Sequence, residues 1–359
     1  MEQIVMKDTA QRCSKCLLPS TYPGITFDIC GVCNHCGDFQ RKDLLGEEEL
    51  LCLLNSEKGN KYDCVVGISG GKDSCYVAYL AKMKYNLRAL AVCYDFPFLC
   101  DLARNNIKNV CTSLNLDLVI VKSKDNLEYT LLHNHLLSTA PTGTSWGQCI
   151  FCHYGIDAIL YNIAKEREIP FILGGVTKYE LWNPGSRSKL LLKRVIKLPL
   201  VDQIHFFYYQ AKAYSCLVKQ RKEFTLPGSS VFNVYTRAVV PSNGAISINV
   251  FEYVNWDHRV IEKTLVEETG WVKPEKSISW RYDCSLEPFL DYTYKKEFGI
   301  STVGIYLSHL IRDQKISRDE AFEILQKSEN DDFLKEKLES VFEFLKMPQS
   351  IRNTFFSRN

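Results

Sequence analysis

Long apolar runs are missing from this chain of 359 residues. No stretch approaches the ~20 residues that cross a bilayer, and Met1 to Arg12 is polar, without the apolar core of a secretory leader. These gaps exclude a helical membrane protein and predict a cytoplasmic one. Excess charge of one sign is missing too: 44 Lys and Arg against 42 Asp and Glu leave a net +2. No global basic field therefore exists to hold a long nucleic acid through its phosphates, although a local patch remains compatible with that balance. Internal repeats and low-complexity tracts are lacking, which excludes repeat and fibrous architectures.

What is left is an ordinary globular composition, 46% hydrophobic and 24% charged, in a chain long enough for two domains and a large core. Cysteine is over-represented, with 15 copies. In a small secreted chain such a count suggests disulfides; in a reducing compartment it points to metal ligands and buried thiols, and spacing decides. Cys13-Ser-Lys-Cys16 and Cys33-Asn-His-Cys36 are two C-x2-C knuckles sixteen residues apart, a spacing that lets four thiolates close tetrahedrally around zinc. Cys30 and His35 lie close enough to substitute, but two symmetric knuckles are the simplest assignment. A closed four-thiolate site has no open coordination position, so its role is structural. A third knuckle, Cys149-Ile-Phe-Cys152, needs partners, for which Cys284 and Cys216 are candidates. A second zinc, an iron–sulfur cluster and a buried packing pair are the readings open there. Cys52, Cys64, Cys75, Cys93, Cys100 and Cys111 sit in apolar patterns and read as core.

Residues 1–42 are cysteine-rich and turn-rich, with Pro19, Pro23, Gly24 and Gly31, and read as a small module that needs a metal staple. Over 43–225, strand-like runs at Cys64–Ile68, Leu87–Tyr94, Leu116–Val121 and Phe171–Leu173 alternate with helical patterns, one of them marked by Leu99, Leu102, Ala103, Ile107, Val110 and Leu114. That alternation predicts an α/β fold with a doubly wound parallel sheet. From 226 to 359 the pattern changes, through Val231–Arg237 and Ala245–Val254, to a mainly helical region. There Ser317-Arg318-Asp319-Glu320 reads as a capping box opening a helix through Leu325.

The most informative stretch is Gly67-Ile68-Ser69-Gly70-Gly71-Lys72-Asp73-Ser74, between the first strand and a helix marked by Val77, Leu80 and Ala81. Adjacent glycines let backbone N–H groups approach an anion, the helix N-terminus adds partial positive charge, and Lys72 adds a full one, so polyphosphate is the natural ligand. The pattern is not the usual P-loop, which needs four residues before Gly-Lys and then Ser or Thr. Asp95, after the second strand, and Gly174-Gly175, after the fourth, fall at the same carboxyl edge, where such sheets bind ligands. Glu180 reads more readily as a solvated carboxylate than as a ligand of magnesium or substrate. Pro141–Gln148 has the composition of a substrate lid, and Trp182, Asn183, Arg187 and Lys189 that of a basic aromatic segment.

The run Ser69–Ser74 resembles the signature of the PP-loop ATP pyrophosphatases, HUP-like α/β domains that split ATP between its α and β phosphates and adenylate a carbonyl oxygen. Further motifs narrow the resemblance: Cys13-Ser-Lys-Cys16-Leu-Leu-Pro19, Pro23-Gly-Ile-Thr-Phe27-Asp28, Gly31-Val-Cys33-Asn-His-Cys36, Cys149-Ile-Phe-Cys152, Phe298-Gly299 and Ile316-Ser-Arg318-Asp-Glu-Ala321. Together with the loop they resemble the N-acetyl sugar amidotransferases of bacterial surface-polysaccharide, LPS O-antigen and nonulosonic acid biosynthesis. The resemblance implies ATP, Mg2+ and Zn2+, a nucleotide-linked N-acetyl sugar as substrate, and a class-I glutaminase subunit as the source of ammonia. It implies that Gly70, Gly71, Lys72 and Ser74 bind the β and γ phosphates, with Ser69 beside them, and that Asp73 helps to hold magnesium. Lys72, Asp73 and Ser74 are thereby the catalytic set; Gly67, Asp95, Gly174 and Gly175 complete the nucleotide site. No segment here pairs a nucleophilic cysteine elbow with downstream His and Glu, so ammonia comes free or from the partner. The competing reading is a PP-loop enzyme that thiolates an adenylated tRNA base. The near-neutral charge counts against nucleic acid.

Overall fold

The computed structural model describes residues 10–122, 127–140, 148–180, 195–223, 244–274, 281, 283–329 and 331–357. They fall into two compact units, one formed by Asp43–Ser277 with Arg281–Ser285, the other by the described parts of Met1–Lys42 and Leu286–Asn359.

The first unit is built on a wholly parallel sheet of β1 (Cys64–Gly67), β2 (Ala89–Asp95), β3 (Asp117–Lys122), β4 (Phe171–Gly174) and β5 (Ile246–Asn249), in the order β3-β2-β1-β4-β5. Val65 on β1 stands opposite Leu90 of β2 and Ile172 of β4. β1, β2 and β4 are buried along almost their whole length, which is why they read as continuous apolar runs rather than as alternating ones. The helices are α2 (Glu47–Ser56), α3 (Lys72–Tyr79), α4 (Asp101–Ser113), α5 (Leu127–Thr139), α6 (Gln148–Glu166), α7 (Leu200–Glu223) and α8 (His258–Thr269). The chain winds outward from β1 in both directions. The strand order therefore reverses at β1 and β4, and the loops after these two strands flank the switch point at which such sheets bind ligands.

The second unit opens with the cysteine segment and its one-turn helix α1 (Asn34–Gly37), and continues as α9 (Glu287–Phe298), α10 (Thr302–Arg312), α11 (Arg318–Ser328), α12 (Asp331–Phe344) and α13 (Gln349–Ser357). Gly299 at φ +71° ends α9, and Ser301 caps α10 by accepting the Gly304 N–H. The N-cap of the predicted capping box is present, with Ser317 Oγ accepting the Glu320 N–H at 3.1 Å. Phe289, Phe342 and Phe355 form the aromatic centre of the helices. The cysteine segment is stitched to them by long-range hydrogen bonds: Thr21 Oγ1 donates to Phe298 O, Arg12 to Gly299 O, and Arg318 to Cys13 O and Cys16 O.

This grouping differs from the segments 1–42, 43–225 and 226–359 drawn from the sequence. Ile246–Asn249 pairs in parallel register with β4, and α8 packs on α3 and α4, so residues 244–274 belong with the sheet. A parallel strand has no local sign of its distant partner, and only its four residues separate it from loop. Pro141–Ser145, Trp146, Trp182, Asn183, Arg187, Lys189 and Val231–Arg237 lie outside the described residues. Among the described residues, no helix is long and apolar enough to cross a membrane.

Candidate nucleotide site and metal centre

The loop after β1 is shaped by close backbone approaches. Gly70 has φ +80°, and a Cβ there would lie 2.3 Å from Ala103 O on α4, so no other residue fits. Its carbonyl accepts the indole N–H of the buried Trp271 at 2.9 Å. Ser74 Oγ receives the Ser69 N–H at 3.1 Å, stands 3.0 Å from Ser69 Oγ and donates to Gly71 O, drawing the loop into a closed turn. α3 begins at Lys72, and its N-cap, Gly71, has no side chain with which to satisfy the first N–H groups. The helix therefore presents its positive end to an anion.

Lys72 is 4% exposed and donates to Asp73 Oδ2 at 2.6 Å. The other carboxylate oxygen of Asp73 accepts the Trp256 indole N–H, also at 2.6 Å. The Lys72 ammonium lies 5.4 Å from the centre of the Trp256 ring, which in turn packs on Tyr179. Asp283 is a second carboxylate beside the loop, with Oδ2 3.3 Å from where a Cβ on Gly71 would stand. It is held there because Cys100 N–H donates to Asp283 O and Ser285 N–H to Phe98 O, a pairing that also sets Cys284 against Leu99. Glu180 is not the solvated carboxylate that the sequence favours: Thr177 donates to it through N–H and Oγ1, and Arg281 lies 3.4 Å away. Burial raises its pKa, Arg281 opposes the rise and Asp73 adds to it.

Among the other predicted residues, Gly67 ends β1 under Leu160 of α6, and Gly175 packs against Asp73 O and Val77 of α3, each 3.0 Å from its would-be Cβ. Gly175 thus makes room for α3, whereas a Cβ on Gly174 would meet only Ile248 O, in ordinary contact at 3.9 Å. Asp95 ends β2 in an ion pair with Arg104 at 2.9 Å. Trp256, Trp271, Asp283 and Arg281 are absent from the sequence reading; they carry no motif, and their partners are remote in the chain.

The second centre is the quartet Cys13, Cys16, Cys33 and Cys36, all buried, with sulfurs within 4.8 Å of one another. Cys13 and Cys36 are 3.9 Å apart and Cys16 and Cys33 3.8 Å, matching the ~3.8 Å edge of a tetrahedron built from ~2.3 Å zinc–sulfur bonds. Cys30 is exposed and outside the group. Burial raises the Cys13 thiol, but N–H donors from Cys16, Cys33 and Lys15 outweigh it and bring its pKa down to about 7; burial lifts Cys33 to about 11. Arg312 donates to Cys16 Sγ at 3.6 Å. Such a donor set fits one tetrahedral metal ion. Cys152 lies on α6 and Cys284 beside Leu99; the Cys149 and Cys216 side chains lie outside the described residues.

The described residues thus hold a glycine anion loop at the switch point of a parallel sheet in one unit, and a buried four-cysteine cluster with a helical C-terminal region in the other. Residues 276–356 match the family model "LPS biosynthesis protein WbpG-like, C-terminal domain". Among curated proteins of Methanocaldococcus jannaschii, an uncharacterized protein is 39% identical over 128 residues, 36% of this chain and 43% of the relative. Another, named "Probable sulfurtransferase", is 35% identical over 96 residues, 24% of this chain and 27% of the relative. The chain thus spans less than half the length of these curated relatives. Similar solved structures include NMN synthetase from Francisella tularensis, at 13% identity and TM-score 0.37, covering 81% of this chain and 93% of that one. The U34-tRNA thiolase NcsA from Methanococcus maripaludis, with its 4Fe-4S cluster, matches at 14% and 0.34, covering 91% and 88%. NH3-dependent NAD synthetase from Campylobacter jejuni matches at 19% and 0.30, covering 37% and 55%.

Proposed function

We propose that this chain is an ATP-dependent amidotransferase that adenylates the N-acetyl carbonyl of a nucleotide-linked sugar and replaces its oxygen with ammonia from a class-I glutaminase partner. The product is an acetamidino sugar for surface polysaccharide. The observation that carries this reading is the conjunction, in one chain, of the Gly70-Gly71-Lys72 anion loop and the segment matching a C-terminal domain of LPS biosynthesis proteins.

The chemistry follows from the weakness of an amide as an electrophile. The acetamido oxygen attacks the α phosphorus of ATP, the bond to the bridging oxygen of the β phosphate breaks, and pyrophosphate leaves. Ammonia then adds to the activated carbon, AMP departs with the former carbonyl oxygen, and C=N–H stands where C=O stood. In the first step negative charge grows on the departing pyrophosphate. The loop N–H groups, the Ser69 and Ser74 hydroxyls and Lys72 border that charge and, once Lys72 and Ser74 turn from Asp73 and Gly71 O, stabilise it as the bond breaks. Lys72 exchanges Asp73 for phosphate oxygens when ATP enters, which frees one Asp73 oxygen while Trp256 keeps the other in place. Asp73 would hold magnesium, with Asp283 as the second carboxylate beside the loop, and the ion would supply neutralisation of the leaving pyrophosphate. Asp95 and Gly174 border the nucleotide at the ends of β2 and β4. The cysteine quartet holds zinc as a structural staple of the second unit.

The second reading, thiolation of an adenylated tRNA base, is supported by the relative named as a sulfurtransferase, and it shares the first step. Incubation with Mg·ATP, ammonium and a panel of uridine- and cytidine-linked N-acetyl sugars separates the two. The amidotransferase reading expects AMP, pyrophosphate and a sugar whose mass falls as O is exchanged for NH. AMP formation that depends on tRNA and a sulfur donor instead would overturn it in favour of the thiolase.

A further inference from the structure

Among its described side chains, α7 meets α5 on one face. Phe206 is buried, and Gln210 Nε2 donates to Ser138 Oγ of α5 at 2.7 Å. The opposite face is the unusual one. Leu200, Val201, Ile204, Phe207 and Tyr208, with Ile196 just before the helix, are between 56% and 70% exposed. Between Leu200 and Tyr208 the exposed positions carry no carboxylate, ammonium or guanidinium group; His205 is the single ionisable side chain among them apart from the Tyr208 phenol. A solvated helix face carries charge, so this stripe is built to be covered.

Its centre and extent suit a second copy of the same helix. Its five members on α7 lie at −4, −3, 0, +3 and +4 relative to Ile204, the spacing of one helix face, which centres the stripe on Ile204. A twofold axis through Ile204, with two copies of α7 antiparallel, brings Ile204 against Ile204, Leu200 against Tyr208 and Val201 against Phe207. That is the self-complementarity an isologous interface requires. The six side chains expose on the order of 700 Å2, above the patch of an ordinary monomer and close to the ~800 Å2 per partner of a stable standard-size interface. The helix, 24 residues long and so ~36 Å, offers length enough for such a crossing.

We infer that the outer face of α7 is the surface through which two copies of this chain pair about a twofold axis at Ile204. The pairing is independent of the reaction the enzyme performs. Sedimentation equilibrium of the full chain at micromolar concentration tests it. Wild type sediments as a dimer; Ile204→Lys and Ile204→Glu each sediment as monomers, with the dissociation constant raised ~100-fold or more by like charges meeting at the axis and the melting temperature held. Mixing the two variants restores the dimer, because residue 204 faces residue 204. If either variant fails to fold, Val201→Glu and Phe207→Lys form the second complementary pair. A monomeric wild type, a dimeric I204K, or folded complementary variants that stay monomeric when mixed would each overturn the inference. So would a wild-type monomer that binds a glutaminase through this face.

Discussion

The phosphate loop and the cysteine quartet both close onto the start of a helix, but they are held in place by different means. The quartet is nearly self-sufficient. Its ligands span Cys13 to Cys36, and the N–H groups of Lys15, Cys16 and Cys33 point at Cys13 Sγ from within the same segment. The phosphate loop depends on remote indoles: Trp256 and Trp271 reach Asp73 and Gly70 from 183 and 201 residues further along the chain. A metal staple can organise a short turn-rich segment by itself, whereas a loop that must hold a buried ammonium beside a carboxylate needs the surrounding fold to orient both.

Removing the staple is the most disruptive way to break this contrast. Chelation of the metal, or Cys33→Ser, is expected to cost on the order of 10 kcal/mol of the folding energy of the cysteine segment. Hydrogen exchange should rise across Cys13–Cys36 and across α9 to α11, which that segment's hydrogen bonds tie down; unchanged exchange there would show that the helices hold without it. The loop should yield to a smaller insult. Gly70→Ala places a Cβ against Ala103 O at positive φ, and a loss of about 3 kcal/mol or more, with loss of ATP binding by calorimetry, is expected.

A control in the sheet unit is supplied by Glu128 of α5, which is 1% exposed and whose pKa burial raises to about 7. Between the ordinary value near 4.5 and about 7 the folded state binds more protons than the unfolded one. The stabilisation is therefore complete below pH 4.5 and is lost as pH rises through 7, about 3 kcal/mol in all. Glu128→Gln should flatten the melting temperature across that window without touching the loop. The smallest effect is expected for Trp256→Phe, which keeps the ring but removes the hydrogen bond to Asp73, worth about 1.5 kcal/mol. Half-saturation for Mg2+ should rise roughly tenfold with little change in melting temperature. A large fall in melting temperature with unchanged Mg2+ dependence would make Trp256 a packing residue alone.

What was legible in the sequence follows the same division. Knuckle spacing specifies the quartet, and Cys30, equally near in sequence, points away. Strands buried on both faces announce themselves as apolar runs, and Gly70 is recognisable because the loop chemistry demands it. β5 was not assignable to the sheet, since four residues of mixed character carry no trace of β4. Glu180 looked solvated because Arg281 lies 101 residues away. Asp283 gave no signal at all, its place being set by the backbone pairing of Asp283 with Cys100 and of Ser285 with Phe98.

The claim on which the functional reading stands is that Ser69–Ser74 grips a leaving pyrophosphate. Chromatographic identification of the nucleotide products during turnover tests it most directly. AMP and pyrophosphate are expected in equal amounts, both lost in Lys72→Ala; accumulation of ADP and inorganic phosphate by the wild type would show that Ser69–Ser74 holds no leaving pyrophosphate.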